Sequence, residues 1–145
     1  MAPTLTLDAS VWIAACRPSE PGYQVSRDLM ALIRTNDVSL IEPALLPIEV
    51  ASALCRTGSN PGVSREYGLS LLELPQITVL PIDDRLIRRA VTLATDCKLR
   101  GADALYVAVA VCWGTHLVTL DNEQLKRVPP LVATLTPEAA LKLLF

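Results

Sequence analysis

The chain has 145 residues, 51% apolar and only 4% aromatic, with 13 Lys and Arg against 15 Asp and Glu for a formal charge of −2. That length suffices to bury one core without disulfides, so a single domain over residues 1–145 is expected, built mainly from Leu, Val, Ile and Ala. The longest uncharged apolar stretch, Ala104 to Gly114, falls well short of the roughly 20 residues of a membrane span, and a start without basic residues that soon meets Asp8 predicts no secretory leader.

Thr4 to Leu7 predicts a first buried strand whose carboxyl end carries Asp8. Ser10 to Cys16 reads as a short helix, Arg17 to Gly22 as turns, Tyr23 to Arg34 as a helix and Val38 to Ile41 as a strand. Pro43 and Pro47 bracket the start of a helix running to about Arg56, with Leu46, Val50 and Leu54 on one stripe and Glu49 beside it. The neighbours of Glu49 three and four positions away are Leu45, Leu46, Ser52 and Ala53, which leaves it no local salt bridge.

Thr57 to Ser64 reads as a loop, Arg65 to Leu74 as a helix, Ile77 to Leu80 as a strand and Asp83 to Leu99 as a long helix, with Gly101 as a break. Asp103 then opens a helix through Trp113, and Leu117 to Leu120 is a strand that delivers Asp121 at its tip. A short helix from Asn122, a strand near Leu131 to Thr134 and a helix from Pro137 complete the order. Strands alternating with helices predict an α/β fold, a parallel sheet covered on both faces.

Asp8, Glu49, Asp103 and Asp121 each interrupt or end an apolar run without a cation placed to neutralise them. An isolated buried carboxylate costs several kcal/mol or takes up a proton, so such residues share a partner. Each has a separate structural explanation: an Asx-turn for Asp8, a distant arginine for Glu49, the helix dipole for Asp103, and for Asp121 a cap with Gln124 reaching back. Taken together they point elsewhere. Ligands of open parallel sheets gather outside the carboxyl ends of the strands, where Asp8 and Asp121 project and Asp103 can reach.

An all-oxygen donor set favours Mg²⁺ or Mn²⁺ over zinc. Two such ions about 3.5 to 4 Å apart suit phosphodiester hydrolysis by a metal-activated water, with Ser10 and Thr119 adding hydroxyl contacts. Cys16, Cys55, Cys97 and Cys112 are widely spaced with no CxxC, which predicts buried free thiols in a reducing cytoplasm. Cys112 and His116 lack a second pair to complete a zinc site, and His116 is expected to be structural. Arg56, Arg65, Arg85, Arg88, Arg89, Lys98 and Arg100 are available for a basic rim or for a solvated helix face.

The blocks LDASVWI (Asp8, Ser10), PIEVASAL (Glu49), LRGADALYVAVA (Asp103) and HLVTLD (Thr119, Asp121) follow one another in an order that resembles the PIN-domain nucleases, in particular the compact VapC-type toxins, over essentially the whole chain. The resemblance implies a PIN-like three-layer α/β/α fold with a parallel central sheet of four to five strands. It also implies a metal-dependent ribonuclease that leaves a 5′ phosphate, commonly a homodimer restrained by a small antitoxin. Asp8, Glu49, Asp103 and Asp121 would be the metal-binding and catalytic acids, with Ser10 and Thr119 supporting them. Asn122 would touch substrate or simply start a helix. The alternatives are a non-catalytic RNA-binding or scaffold module of the same fold, and an RNA-processing nuclease outside a toxin–antitoxin pair. A receiver-like phosphoacceptor would need further acids after the first strand and a lysine near Thr119, and the chain has neither.

Overall fold

The computed structural model describes residues 3–128 and 130–145. β1 (Leu5–Leu7) leads into α1 (Ala9–Cys16) and α2 (Tyr23–Thr35), and β2 (Leu40–Pro43) into α3 (Leu45–Arg56) and α4 (Pro61–Ser70), followed by a 3-10 turn at Leu71–Glu73. β3 (Ile77–Leu80) precedes α5 (Asp84–Asp96) and α6 (Gly101–Trp113), after which come β4 (His116–Val118), α7 (Asn122–Arg127), β5 (Thr134–Leu135) and α8 (Pro137–Leu144).

All five strands are parallel, in the order β3-β2-β1-β4-β5. The chain therefore steps outward from β1 through β2 to β3, then crosses back to lay β4 on the other side of β1. The gap between the carboxyl ends of β1 and β4 is the topological switch point, the place where such sheets leave a crevice.

Leu5, Leu7, Leu117 and Val118 are fully buried at the centre of the sheet. α6 lies across β1, β2 and β4 with α5 on its outer side, and α2 packs on α1 and α8, which gives the three-layer α/β/α arrangement. Covered by sheet and helix together, α6 is apolar almost all round and buries Ala104 and Tyr106 through Ala110. Gly114 closes it in the left-handed conformation, φ 66°, where a side chain would be strained.

Several boundaries depart from the sequence expectation for physical reasons. The second strand runs to Pro43 rather than stopping at Ile41. Its pairing with β1 ends after Leu5↔Leu40 while its pairing with β3 continues to Pro43↔Leu80, so Pro43 occupies an edge-like position that tolerates a missing N–H.

α4 begins at Pro61, inside the expected loop, because the Asn60 side chain accepts from the backbone N–H groups of Gly62 and Val63 and proline fits the first helical position. α5 ends at Asp96, and Lys98 turns the chain with φ 55°. Gly101 starts α6 instead of breaking a helix. β4 stops at Val118, so Asp121 lies beyond the strand as the N-cap of α7, and the last strand falls at Thr134–Leu135 rather than Leu131 to Thr134. The thiols are free but not fully buried: Cys55 is exposed and the other three are half-buried.

Candidate active site

Asp8 leaves β1 at its carboxyl end and is only 4% exposed. The Ser10 hydroxyl donates to its Oδ2 at 2.7 Å and the Thr119 hydroxyl donates to the same oxygen at 3.0 Å. Each hydroxyl is itself fixed: Leu120 N–H donates to Ser10 Oγ at 3.1 Å and Asp121 N–H to Thr119 Oγ1 at 3.0 Å. The backbone after β4 thus aims both protons at Asp8, and Oδ1 accepts from neither hydroxyl. Burial pushes the Asp8 carboxyl above its usual range, opposed by those two hydrogen bonds.

Asp121 does what its capping explanation predicts, since Oδ1 accepts from Glu123 N–H at 2.7 Å and from Gln124 N–H at 3.3 Å. Oδ2 remains on the crevice side, 3.8 Å from Arg100. The Gln124 side chain does not reach back to close a capping box. It is fully buried, leans toward Asp8 and has no hydrogen-bond partner for either amide atom.

Glu49, on α3, accepts from the Tyr106 hydroxyl at 2.7 Å, so its partner is a tyrosine rather than a distant arginine. Burial raises its pKa, and the charge of Asp8 adds to the shift. Asp103 sits in the first turn of α6. Its carboxyl is pushed up to about 6 by burial, then by the charges of Asp8 and Asp121, with Glu49 adding to the rise and Arg100 opposing it. All four acids therefore share one electrostatic neighbourhood at the switch point, as do Ser10 and Thr119. Asn122 is the exposed first residue of α7.

A fifth acid went unnoticed in the sequence. Glu42 on β2 is fully buried, and its Oε1 accepts from Leu7 N–H at 2.7 Å, taking the place of a backbone carbonyl beside Asp8. Ile41 O is engaged instead by the Thr6 hydroxyl at 2.8 Å. Burial pushes Glu42 well above the usual carboxylate range, and Asp8 adds to it. Glu42 Oε2 and Trp12 Nε1 face each other short of hydrogen-bond geometry, and both lack a partner. Tyr106 was also missed; the clue in retrospect is one hydroxyl inside the apolar run of α6.

Of the candidate rim cations, Arg100 pairs with these acids. Arg85, Arg88 and Arg89 line a shallow cleft with Val111 and Cys112 near the other end of α6.

Among the described residues no group of three or more His, Cys, Asp and Glu side chains forms a ready-made metal cage. Asp8, Glu49, Asp103 and Asp121 offer carboxylate oxygens and no nitrogen or sulfur donor, the chemistry that Mg²⁺ and Mn²⁺ prefer over zinc. The unpaired amide of Gln124 beside Asp8 is the kind of buried polar group that an ordered water satisfies. The donor set therefore fits a hydrated, oxygen-loving divalent ion.

The family described as PIN domain matches residues 5–130. No curated protein sequence matches the chain. Among solved structures, VapC20 of Mycobacterium tuberculosis, described as a sarcin-ricin loop cleaving toxin, is similar with a TM-score of 0.70 at 15% identity, over 81% of this chain and 90% of that one. A toxin–antitoxin complex from Klebsiella pneumoniae gives 0.65 at 16% identity, over 92% and 97% of the two chains. PAE2754 from Pyrobaculum aerophilum gives 0.65 at 22% identity, over 99% and 98%. At such identities the likeness is one of fold.

Proposed function

The chain belongs to the PIN-domain family, and from that premise we propose that it is a ribonuclease dependent on Mg²⁺ or Mn²⁺, the toxin of a toxin–antitoxin pair. The observation that carries this reading is the gathering of Asp8, Glu49, Asp103 and Asp121 at the switch point, where burial and then the charges of the other three raise the carboxyl of Asp103. Asp8, Glu49, Asp103 and Asp121 would hold the ion, which when bound polarises the phosphoryl group and supplies an activated water.

The chain's own residues have separable tasks. Ser10 and Thr119 fix the rotamer of Asp8 by engaging Oδ2. Held as a donor to Asp8 and as an acceptor from Leu120 N–H, the Ser10 hydroxyl serves to orient the carboxylate. Tyr106 steadies Glu49. Asn122 starts α7, and its exposure leaves it open to substrate.

Two surfaces support the partners. A large cleft between α1, α2 and α4, lined by Trp12, Met30, Ile33, Tyr67 and Leu71 among others, offers an antitoxin an apolar seat away from the acids, in keeping with the Klebsiella pneumoniae neighbour being a toxin–antitoxin complex. Exposed Ile48 on α3 and Val63 and Leu69 on α4 motivate a homodimer. No helix among the described residues is long and apolar enough to cross a membrane, and we assign the protein to the cytoplasm.

Incubation of the purified protein with structured RNA tests the reading: cleavage with Mg²⁺ or Mn²⁺ that EDTA abolishes supports it, and intact RNA at every metal concentration contradicts it. A small neighbouring reading frame with a DNA-binding pattern supports the toxin role. Its absence favours RNA processing.

A further inference from the structure

Among the described residues, Arg100 is the cation whose charge opposes the rise of Asp103. Its Nε lies 3.8 Å from Asp103 Oδ2 and its Nη2 3.8 Å from Asp121 Oδ2. Both distances are too long for hydrogen bonds, and a guanidinium seated for structure forks one carboxylate at about 2.7 to 2.9 Å. The Arg100 side chain is 75% exposed, against 17% and 21% for its two partners.

Its place in the chain is otherwise unrewarding. Arg100 occupies the N-cap of α6 yet makes no side-chain cap, a role that Ser, Thr, Asp or Asn serves better. Its backbone is held on both sides: before it Leu99 is 8% exposed, Lys98 turns with φ 55° and the Arg127 guanidinium donates to Lys98 O, and after it Ala104 N–H donates to Arg100 O at 2.9 Å. A guanidinium paired with two acids but hydrogen-bonded to neither thus stands on a fixed mount over them.

We propose that Arg100 is a catalytic residue that grips a non-bridging oxygen of the scissile RNA phosphate. The proposal rests on the ribonuclease reading above. A phosphodiester must approach four carboxylates to be cut, and a planar guanidinium between two of them offsets that repulsion while matching the phosphate oxygens with its fork. Its N–H groups also meet the charge that builds on those oxygens in the transition state. The arginine keeps all its protons and forms no covalent bond. Without RNA it rests across Asp103 and Asp121.

The test compares wild type, Arg100→Ala and Arg100→Lys in two assays: initial rates on total cellular RNA with Mg²⁺ at low and saturating RNA, and Mn²⁺ binding by calorimetry without RNA. Arg100→Ala should lose about 100-fold in rate, the order of one lost transition-state donor, with Arg100→Lys between the two. Its Mn²⁺ affinity should be unchanged or higher, because a competing cation has gone. Wild-type rates in Arg100→Ala, or a loss of rate matched by an equal loss of Mn²⁺ affinity, would overturn the proposal. Wild-type protein that cleaves nothing would overturn the ribonuclease reading with it, whereas active wild type beside equally active Arg100→Ala overturns the role of the arginine alone.

Discussion

The acids that follow strands and the acids that ride on helices are held differently. Asp8 is fixed by two hydroxyls that are themselves pinned by backbone N–H groups, and Asp121 by its cap on α7. Glu49 has one tyrosine hydroxyl, and Asp103 has a guanidinium no closer than 3.8 Å. One side of the site is therefore built in advance by the sheet edge. The other, with fewer hydrogen bonds to its carboxylates, is the more adjustable.

If both sides are needed, Asp8→Asn and Asp103→Asn should each abolish RNA cleavage while leaving circular dichroism unchanged, since the amide keeps the shape and loses the charge. Near wild-type cleavage by either variant removes that residue from the site. The next effect separates the two sides. Thr119→Ala and Ser10→Ala should each lower activity about 10- to 100-fold, as loss of a ligand-orienting partner does, while Tyr106→Phe should cost less because Glu49 is the adjustable member. Kinetics of the three variants with the reverse order would break the comparison.

The smallest effect is one of pH. In EDTA the Asp103 carboxyl holds its proton up to about 6 in the folded protein but loses it near 3.8 in the unfolded chain. Between those values the folded state binds more protons, so stability should fall as pH rises through the window. Asp8, Glu42 and Glu49 are shifted in the same direction and reinforce the sign. Saturating Mg²⁺ should flatten the slope. A urea-unfolding series whose stability rises with pH in EDTA would mean that the acids do not burden the metal-free fold.

The four paired acids were legible because each breaks an apolar run, and the parallel order of the strands brought their ends together. Glu42 was not legible. Its two neighbours in sequence, Ile41 and Pro43, suggested a strand already ended, and only pairing of Glu42 with Val79 on β3 carries the strand through it. Arg100 was visible merely as one basic residue among seven. Its distinction comes from the turn at Lys98, a left-handed residue that no local pattern announces. The start of α4 was hidden for a nearer reason: Asn60 and Pro61 read equally as turn or as cap, and packing against α3 decided for the helix.

The central claim is that Asp8, Glu49, Asp103 and Asp121 share a metal ion, and thermal melting of Asp8→Asn beside wild type tests it most directly. Two carboxylates about 4 Å apart at an effective dielectric near 20 repel by about 4 kcal/mol at most once protonation and water intervene. An asparagine at position 8 can keep both hydroxyl bonds on its carbonyl oxygen while shedding the charge. Asp8→Asn should therefore melt at or above the wild-type temperature in EDTA and gain less from added Mg²⁺ or Mn²⁺, because a ligand stabilises only the state that binds it. A clear drop for Asp8→Asn in EDTA, with equal gains from metal in both proteins, would contradict the shared site.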